Sequence, residues 1–459
     1  MTRRQRIDDL TTFAVPGQPA LSPDGSRILY VLATTEDDRN VHSIWSVGSE
    51  SGEPRQLTRG KADESPAWSP DGTSIAFLRA EDGPPQLWLL PVDGGEAEQL
   101  TTLSLGAGTP VWSPDGSKIA FSAATGEPGE TDPIVTDRLD YQADGAGYLR
   151  TVRKHLHVLD LATKESKQVT DGDWHAGDPA WSADSAKLAF AAAKAPDADV
   201  KPRVPVYVLD LATASQELAG MSDGVSGAVT WSDDALLVVG MDGEPVGHVG
   251  LWRVPLDGGR IANLAAPLDR NVMQGGPGYP GALPQLGADG VVFCVRDRGC
   301  THVYSVAVGG GTPRGVVTGA GRNITGMSVV GDKAAVVLST PSSYGEIVAV
   351  DLTTGAESVR TGHGDSEAVL FTRTEREFTI SDGTVVQGWL IRDPESEGPQ
   401  PLLLDVHGGP HNAWNGAADE VHLYHQELVA RGWTVLLVNP RGSDGYGEQF
   451  YKGGIGAWG

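Results

Sequence analysis

A chain of 459 residues is too long for one ordinary hydrophobic core, so it holds either several domains or a repeat that accounts for most of its length. Acidic residues outnumber basic ones by 60 to 35, and a net charge of -25 repels phosphate backbones and anionic head groups, which argues against nucleic acid and membranes as partners. The basic opening MTRRQRIDDLTTF is followed by no apolar leader, and no run of about 18 apolar residues occurs downstream, so the chain reads as a soluble cytoplasmic protein.

The first elements in chain order belong to a repeat. LSPDGSRILY from Leu21, WSPDGTSIAFL from Trp68, WSPDGSKIAFS from Trp112, WSADSAKLAFA from Trp181 and a worn WSDDALLVV from Trp231 each predict one hairpin. Pro presets the turn, Asp-Gly reverses the chain, and the alternating apolar residues make a half-buried strand. A second strand pair follows each copy, as in LWLLPVDGGEAEQLT and IVAVDLTTGAESVR. Taking Trp45, Trp88, His157, Tyr207, Trp252, Tyr304 and Val348 as equivalent gives spacings of 43, 69, 50, 45, 52 and 44 residues. Two hairpins per unit predict four-stranded sheets of propeller-blade size, seven of them, over residues 14–370 behind an N-terminal segment 1–13. The spacing of 69 holds an insertion near residues 124–153 that is expected to lie outside its blade. Cys294 and Cys300, in VVFCVRDRGCTHVY, fall on a hairpin; two thiols exclude a disulfide framework, and idle buried thiols are the expectation.

From residue 371 the pattern changes. FTISDGTVVQGWLIRDP makes one more hairpin, and the polar linker ESEGPQ leads into PLLLDV, an apolar run without alternation, as in a strand buried on both faces of a parallel sheet. A helix is predicted next, with Val421, Leu423, Tyr424, Leu428 and Val429 on its apolar side and Gly432 at its end. TVLLVNPRGSDGYGEQF then reads as a buried strand running into a Gly-rich loop. Strand, helix and strand in this order predict an α/β sheet over 371–459.

The Trp-Ser-Pro-Asp-Gly repeats, DVHGGP from Asp405 to Pro410 and NPRGSDGYG from Asn439 to Gly447 together resemble the prolyl oligopeptidase family of serine peptidases, its acylaminoacyl-peptidase-like branch above all. The resemblance covers essentially the whole chain. It implies a seven-bladed β-propeller followed by the N-terminal part of an α/β-hydrolase domain, and a hydrolase that takes oligopeptide substrates while the propeller screens them by size. It also implies an oxyanion-hole turn at His407, Gly408 and Gly409, with the Gly409 backbone N–H as one donor, and a neighbouring loop begun by Arg441 and Gly442. Negative charge develops on the carbonyl oxygen during attack, and a residue without a side chain lets the backbone approach it. For Arg441, a structural ion pair is the alternative. No cofactor or metal is implied.

The G-x-S-x-G elbow, Asp and His of the family's triad are expected beyond residue 459, so the chain is expected to be inactive alone and to need a C-terminal piece as partner. One formal match, Gly220–Gly224 around Ser222, sits between strands and is expected to be a turn. His411, His422 and His425 complete no carboxylate–histidine metal pattern. The absence of a Glu-Glu dipeptide, which dipeptidyl-peptidase relatives use to hold a free amine, favours acylated or internal peptide ends. A non-catalytic propeller scaffold and an esterase-type acyl hydrolase are the rival readings.

Overall fold

The structure, a computed structural model, describes residues 3–127, 133–144, 146–276, 279–365, 368–409 and 411–456. It divides into two compact units, residues 62–264 and residues 1–61 together with 265–459.

The 62–264 unit is built from four-stranded antiparallel sheets, all but one made of consecutive strands. In the first, Asp63–Trp68, Ser74–Arg79, Gln86–Pro91 and Glu98–Gln99 pair in order. Three more follow, from Val111–Trp112 to Ser166–Gln168, from Ala180–Trp181 to Gln216–Gly220, and from Val225–Ser232 to Ala262–Asn263. The same plan appears in the other unit, with Val15–Leu21 through Arg55–Gln56 as one sheet. Gln285–Gly287 through Arg314–Val317 and Asn323–Val330 through Glu357–Val359 form two further four-strand sets, joined by a single parallel bridge between Thr301 and Asn323.

The residues aligned as equivalent occupy one register position. Trp45 pairs with Tyr30, Trp88 with Phe77, His157 with Phe121, Tyr207 with Phe190, Trp252 with Val238, Tyr304 with Phe293 and Val348 with Val336. Six of the seven pairs set a Trp, Tyr or His ring beside an aromatic or aliphatic side chain and the last sets two valines together, the cross-strand pair being the unit of sheet stabilisation. The hairpin motif has one geometry throughout. Ser69 Oγ donates to Asp71 Oδ1 at 2.6 Å and accepts from the Ser74 N–H at 2.9 Å. Ser22, Ser113 and Ser182 repeat both bonds at the same lengths. The serine bond holds the Asp24 and Asp115 carboxyls down to about 2, and Gly72 at φ +72° supplies the left-handed turn residue.

The insertion between Thr125 and Arg153 interrupts nothing, because Lys118–Thr125 pairs residue for residue with Arg153–Asp160. Its described part carries a short Gln142–Ala143/Gly147–Tyr148 hairpin and a 91 % exposed Val135; residues 128–132 and 145 lie outside the described set. Cys294 faces Val303 and Cys300 faces Asp297 across the predicted hairpin, so the two thiols are not opposed, and both are free and buried.

Residues 374–439 form a mixed sheet in the order Thr374–Thr379, Val385–Ile391, Thr434–Asn439, Leu402–Val406. Only the last pair is parallel. Its core joins Trp389, Ile391, Trp414, Val429, Val435 and Leu437. The strand Leu402–Val406 corrects the expectation of burial on both faces: it stands at the sheet edge, and Leu402, Leu404 and Val406 are each more than half exposed. An unalternating run reports two apolar faces, and position in the sheet decides whether both are covered. The helix is shorter than predicted, Tyr424–Ala430, ending at Gly432 with φ +86°. Val421 lies before it and is exposed, while His425 and Gln426 are buried in its place.

Candidate active site

Within the 1–61/265–459 unit, a cavity of about 600 Å³ is bordered by the loop after Leu402–Val406, by the turn before the helix, and by Arg296 at the end of the strand Gly290–Asp297. Because Leu402–Val406 and Thr434–Asn439 run parallel, both chains leave the sheet on the same side, and the HGG and NPRGS loops begin next to each other. Side chains tie them together. The His407 Nε2 and Ser443 Oγ are 2.7 Å apart, His411 Nδ1 lies 2.8 Å from Gly442 O, and the Asp444 N–H donates to Asn412 O at 3.0 Å. His411 also stacks on Tyr451 at 3.8 Å.

Gly409 has φ +136°, and a Cβ there would stand 2.9 Å from His411 N and 3.1 Å from Asn412 N. Any side chain would drive the turn open. Gly408 has open space around its Cβ position and lines the cavity with His407. Pro410 lies outside the described residues. Arg441 is elsewhere: it pairs with Asp382 at the surface, both about half exposed, and does not line the cavity. Gly442, at φ +97°, donates its N–H to Phe450 O at 3.0 Å, closing the second loop.

The Ser443–His407 pair looks like a nucleophile with its base, but Ser443 is fully buried and His407 Nδ1 rests against Gly408 O, so the pair braces the turn. Burial holds the His407 imidazole below its ordinary value, favouring the neutral form. Ser222 stands in a tight turn closed by a Gly224 N–H bond to Met221 O at 3.0 Å, between the last strand of one sheet and the first of the next, with no helix after it.

Around the helix the charges are paired. Burial raises the Asp405 carboxyl, yet bonds from His425, at 2.8 Å, and Tyr424 outweigh it and the net shift is downward. Asp419 likewise overcomes burial, held low by His422 at 2.8 Å and Arg373 at 3.2 Å. Glu420 has no such partner, and burial with Asp419 beside it pushes its carboxyl up to about 7. His411, His422 and His425 thus serve three different partners. No group of three or more His, Cys, Asp or Glu among the described residues could hold a metal, and no described helix is long and apolar enough to cross a membrane.

Sequence reasoning missed Arg296, Asn412 and Ser443. Arg296 is 1 % exposed and donates through Nη1 to Asn412 Oδ1 at 2.8 Å. The available signal was a cation in the apolar run VVFCVRD, where every position from Val291 to Arg296 is buried.

A family model described as the TolB beta propeller domain matches residues 2–144. The peptidase YuxL of Bacillus subtilis, itself uncharacterised, is 29 % identical over 98 % of this chain and 73 % of its own length. The relative matched over almost the whole chain is thus a peptidase by name. The acylaminoacyl peptidase of Pyrococcus horikoshii superposes with a TM-score of 0.79 at 20 % identity, covering 97 % of this chain and 68 % of that one. A puromycin-hydrolyzing peptidase of Mycobacterium tuberculosis gives 0.72 at 18 % identity, over 98 % of this chain and 70 % of that one. Homologues and structural neighbours are thus acylaminoacyl and prolyl-oligopeptidase-family peptidases with a TolB-like propeller, and the repeated sheets are a β-propeller-type domain.

Proposed function

We propose that these 459 residues supply the propeller and the oxyanion loop of a serine peptidase of the prolyl oligopeptidase type, which hydrolyses short or acylated peptides. The observation that carries the reading is the Gly409 turn, left-handed and braced by His407 against the NPRGS loop, at the mouth of a cavity large enough for a peptide. In this reading residues 14–370 are seven blades and residues 371–459 are the opening strands of an α/β-hydrolase domain. The exposed apolar edge Leu402–Val406 supports it, since such an edge calls for a further strand. The Gly409 N–H is one oxyanion donor, and Arg441 and Gly442 shape the neighbouring loop.

In this reading the nucleophile, the histidine that is its base and the carboxylate that orients that histidine are supplied by a segment outside residues 1–459, and loss of such a triad lowers turnover by roughly a millionfold. The test is co-expression with a hydrolase segment carrying G-x-S-x-G, followed by a fluorophosphonate probe. A labelled serine on the added segment, and none on this chain alone, is the expected result. A folded complex that takes no label overturns the serine-peptidase reading and leaves a binding scaffold.

A further inference from the structure

Lys194 follows the strand Lys187–Ala191 and carries its amine into an aromatic corner of the 62–264 unit. Its Nζ lies 3.8 Å from the centroid of the Tyr207 ring, 4.4 Å from that of Trp174 and 5.0 Å from that of Phe190. The corner follows from the sheet register: Phe190 and Tyr207 are cross-strand partners, and Trp174, which precedes the strand Ala180–Trp181, stacks on Phe190 at 6.0 Å. One hydrogen bond holds the amine, donated to Gln216 Oε1 at 2.5 Å, and that acceptor is a neutral amide.

Other lysines of the chain sit against carboxylates. Lys154 faces Asp178, Lys164 faces Glu98, Lys201 faces Asp197, Lys333 faces Glu50 and Lys452 faces Glu448. Lys194 forms no ion pair among the described residues, and the acids nearest to it and to Trp174 in sequence are spent: Asp197 on Lys201 and Asp173 on Arg153. Ring faces and an amide oxygen attract a cation but bring no charge to offset its desolvation. Burial therefore lowers the Lys194 amine from 10.5 to about 8. A lysine desolvated among apolar groups in this way is a nucleophile close to neutral pH, and Lys194 is half-buried, so part of its side chain stays open to a small reagent.

We propose that Lys194 is a site of direct N-acylation, and that its acyl donors are thioesters. The neutral amine attacks the thioester carbonyl, the N–C bond forms and the C–S bond breaks. The sulfur leaves as a thiolate and takes up the proton that the nitrogen releases, so the products are an amide and a thiol. Acylation removes the charge that burial disfavours. A thioester suits the site because its reacting group is uncharged, whereas the anionic group of an acyl phosphate is repelled by a chain of net charge -25. The proposal is independent of any part the chain plays in peptide hydrolysis.

The test is incubation of the 459-residue chain with S-acetyl-N-acetylcysteamine, a small neutral thioester, with Nα-acetyl-lysine amide in the same solution as the ordinary amine. Acetylation at each lysine is followed by peptide mass spectrometry from about pH 7 to 10. Near pH 8 Lys194 is expected to react about tenfold faster than the free standard. Its rate is expected to reach half its maximum near pH 8, while that of the standard is still rising at about pH 10. The decisive variant is Gln216→Glu, equal in size, which sets a carboxylate at the amine's acceptor and is expected to slow Lys194 to the rate of the standard or below. A rate in the unmutated chain no faster than the standard, a rate still climbing at about pH 10, or an unchanged rate in a Gln216→Glu chain shown by circular dichroism to be folded would each overturn the proposal. The first two are read on the unmutated chain and so do not depend on the variant's folding.

Discussion

The repeated sheets and the mixed sheet end in different ways. In three of the former the closing strands are short and polar: Arg55–Gln56 and Glu98–Gln99 have two residues each, and Ser166–Gln168 has three, all exposed; Gln216–Gly220 is longer, with one exposed leucine, Leu218. In the latter the edge is Leu402–Val406, five residues with Leu402, Leu404 and Val406 projecting into solvent. Short charged edges offer little template for another strand, whereas a five-residue apolar edge offers a good one. The same chain therefore blunts the edges of these three repeated sheets and leaves its mixed sheet with an apolar edge.

Four experiments break or sharpen this contrast. The largest effect is expected from Trp389→Ala, which empties the core shared by Trp414, Ile391 and Val435 and costs about 3–5 kcal/mol. Hydrogen exchange should show protection lost across Thr374–Asn439 while Asp63–Gln99 keeps its own; loss in both would show that the two kinds of sheet are not energetically separable. Gly409→Ala comes next, at about 1–3 kcal/mol of backbone strain, read as faster exchange confined to residues 403–412. The chain is expected to self-associate through this edge, and Leu404→Lys to weaken that association by roughly tenfold, measured by sedimentation, with little change in the melting curve. Unchanged association would place the sticky surface elsewhere.

The smallest effect concerns Glu420. Its carboxyl, raised from 4.5 to about 7 by burial, keeps its proton in the folded chain at pH values where the unfolded chain has lost it. That contribution to stability is full below pH 4.5 and lost as pH rises toward 7. Glu420→Gln is expected to remove this downward slope from the urea midpoint measured between those limits. The histidines 407 and 425, whose imidazoles burial lowers, add an opposite slope just below their ordinary value in both proteins, whereas His422, raised by Asp419 and close enough to act on Glu420, adds to the downward one.

The repeated sheets were legible because their information is local. A Ser-Pro-Asp-Gly turn closes its own hydrogen bonds within six residues, and strand alternation places Trp45 or Tyr207 opposite a predictable partner. The mixed sheet was legible in its elements but not in their order. PLLLDV shows two apolar faces, while its place at the edge follows from pairing with residues 434–438, about thirty positions on. The cavity was least visible. Arg296 meets Asn412 across more than a hundred residues of sequence, a contact that no local pattern announces. Arg441, which the motif did single out, serves a surface ion pair.

The N-terminal and last repeated sheets share no strand. Val15–Leu21 through Arg55–Gln56 complete one sheet, and they meet the other through a common cluster of Leu21, Ile28, Tyr30, Ala335, Val337 and Ile347, with the Leu21 N–H reaching Ser328 Oγ at 2.9 Å. A ribosome making this protein finishes the hydrogen bonds of the first sheet by residue 56, but the apolar side chains that cover its face emerge roughly 280 residues later, on the order of 15–55 s at about 5–20 residues per second. During that interval the apolar side chains of Leu21, Ile28 and Tyr30 lack the partners that cover them in the folded chain.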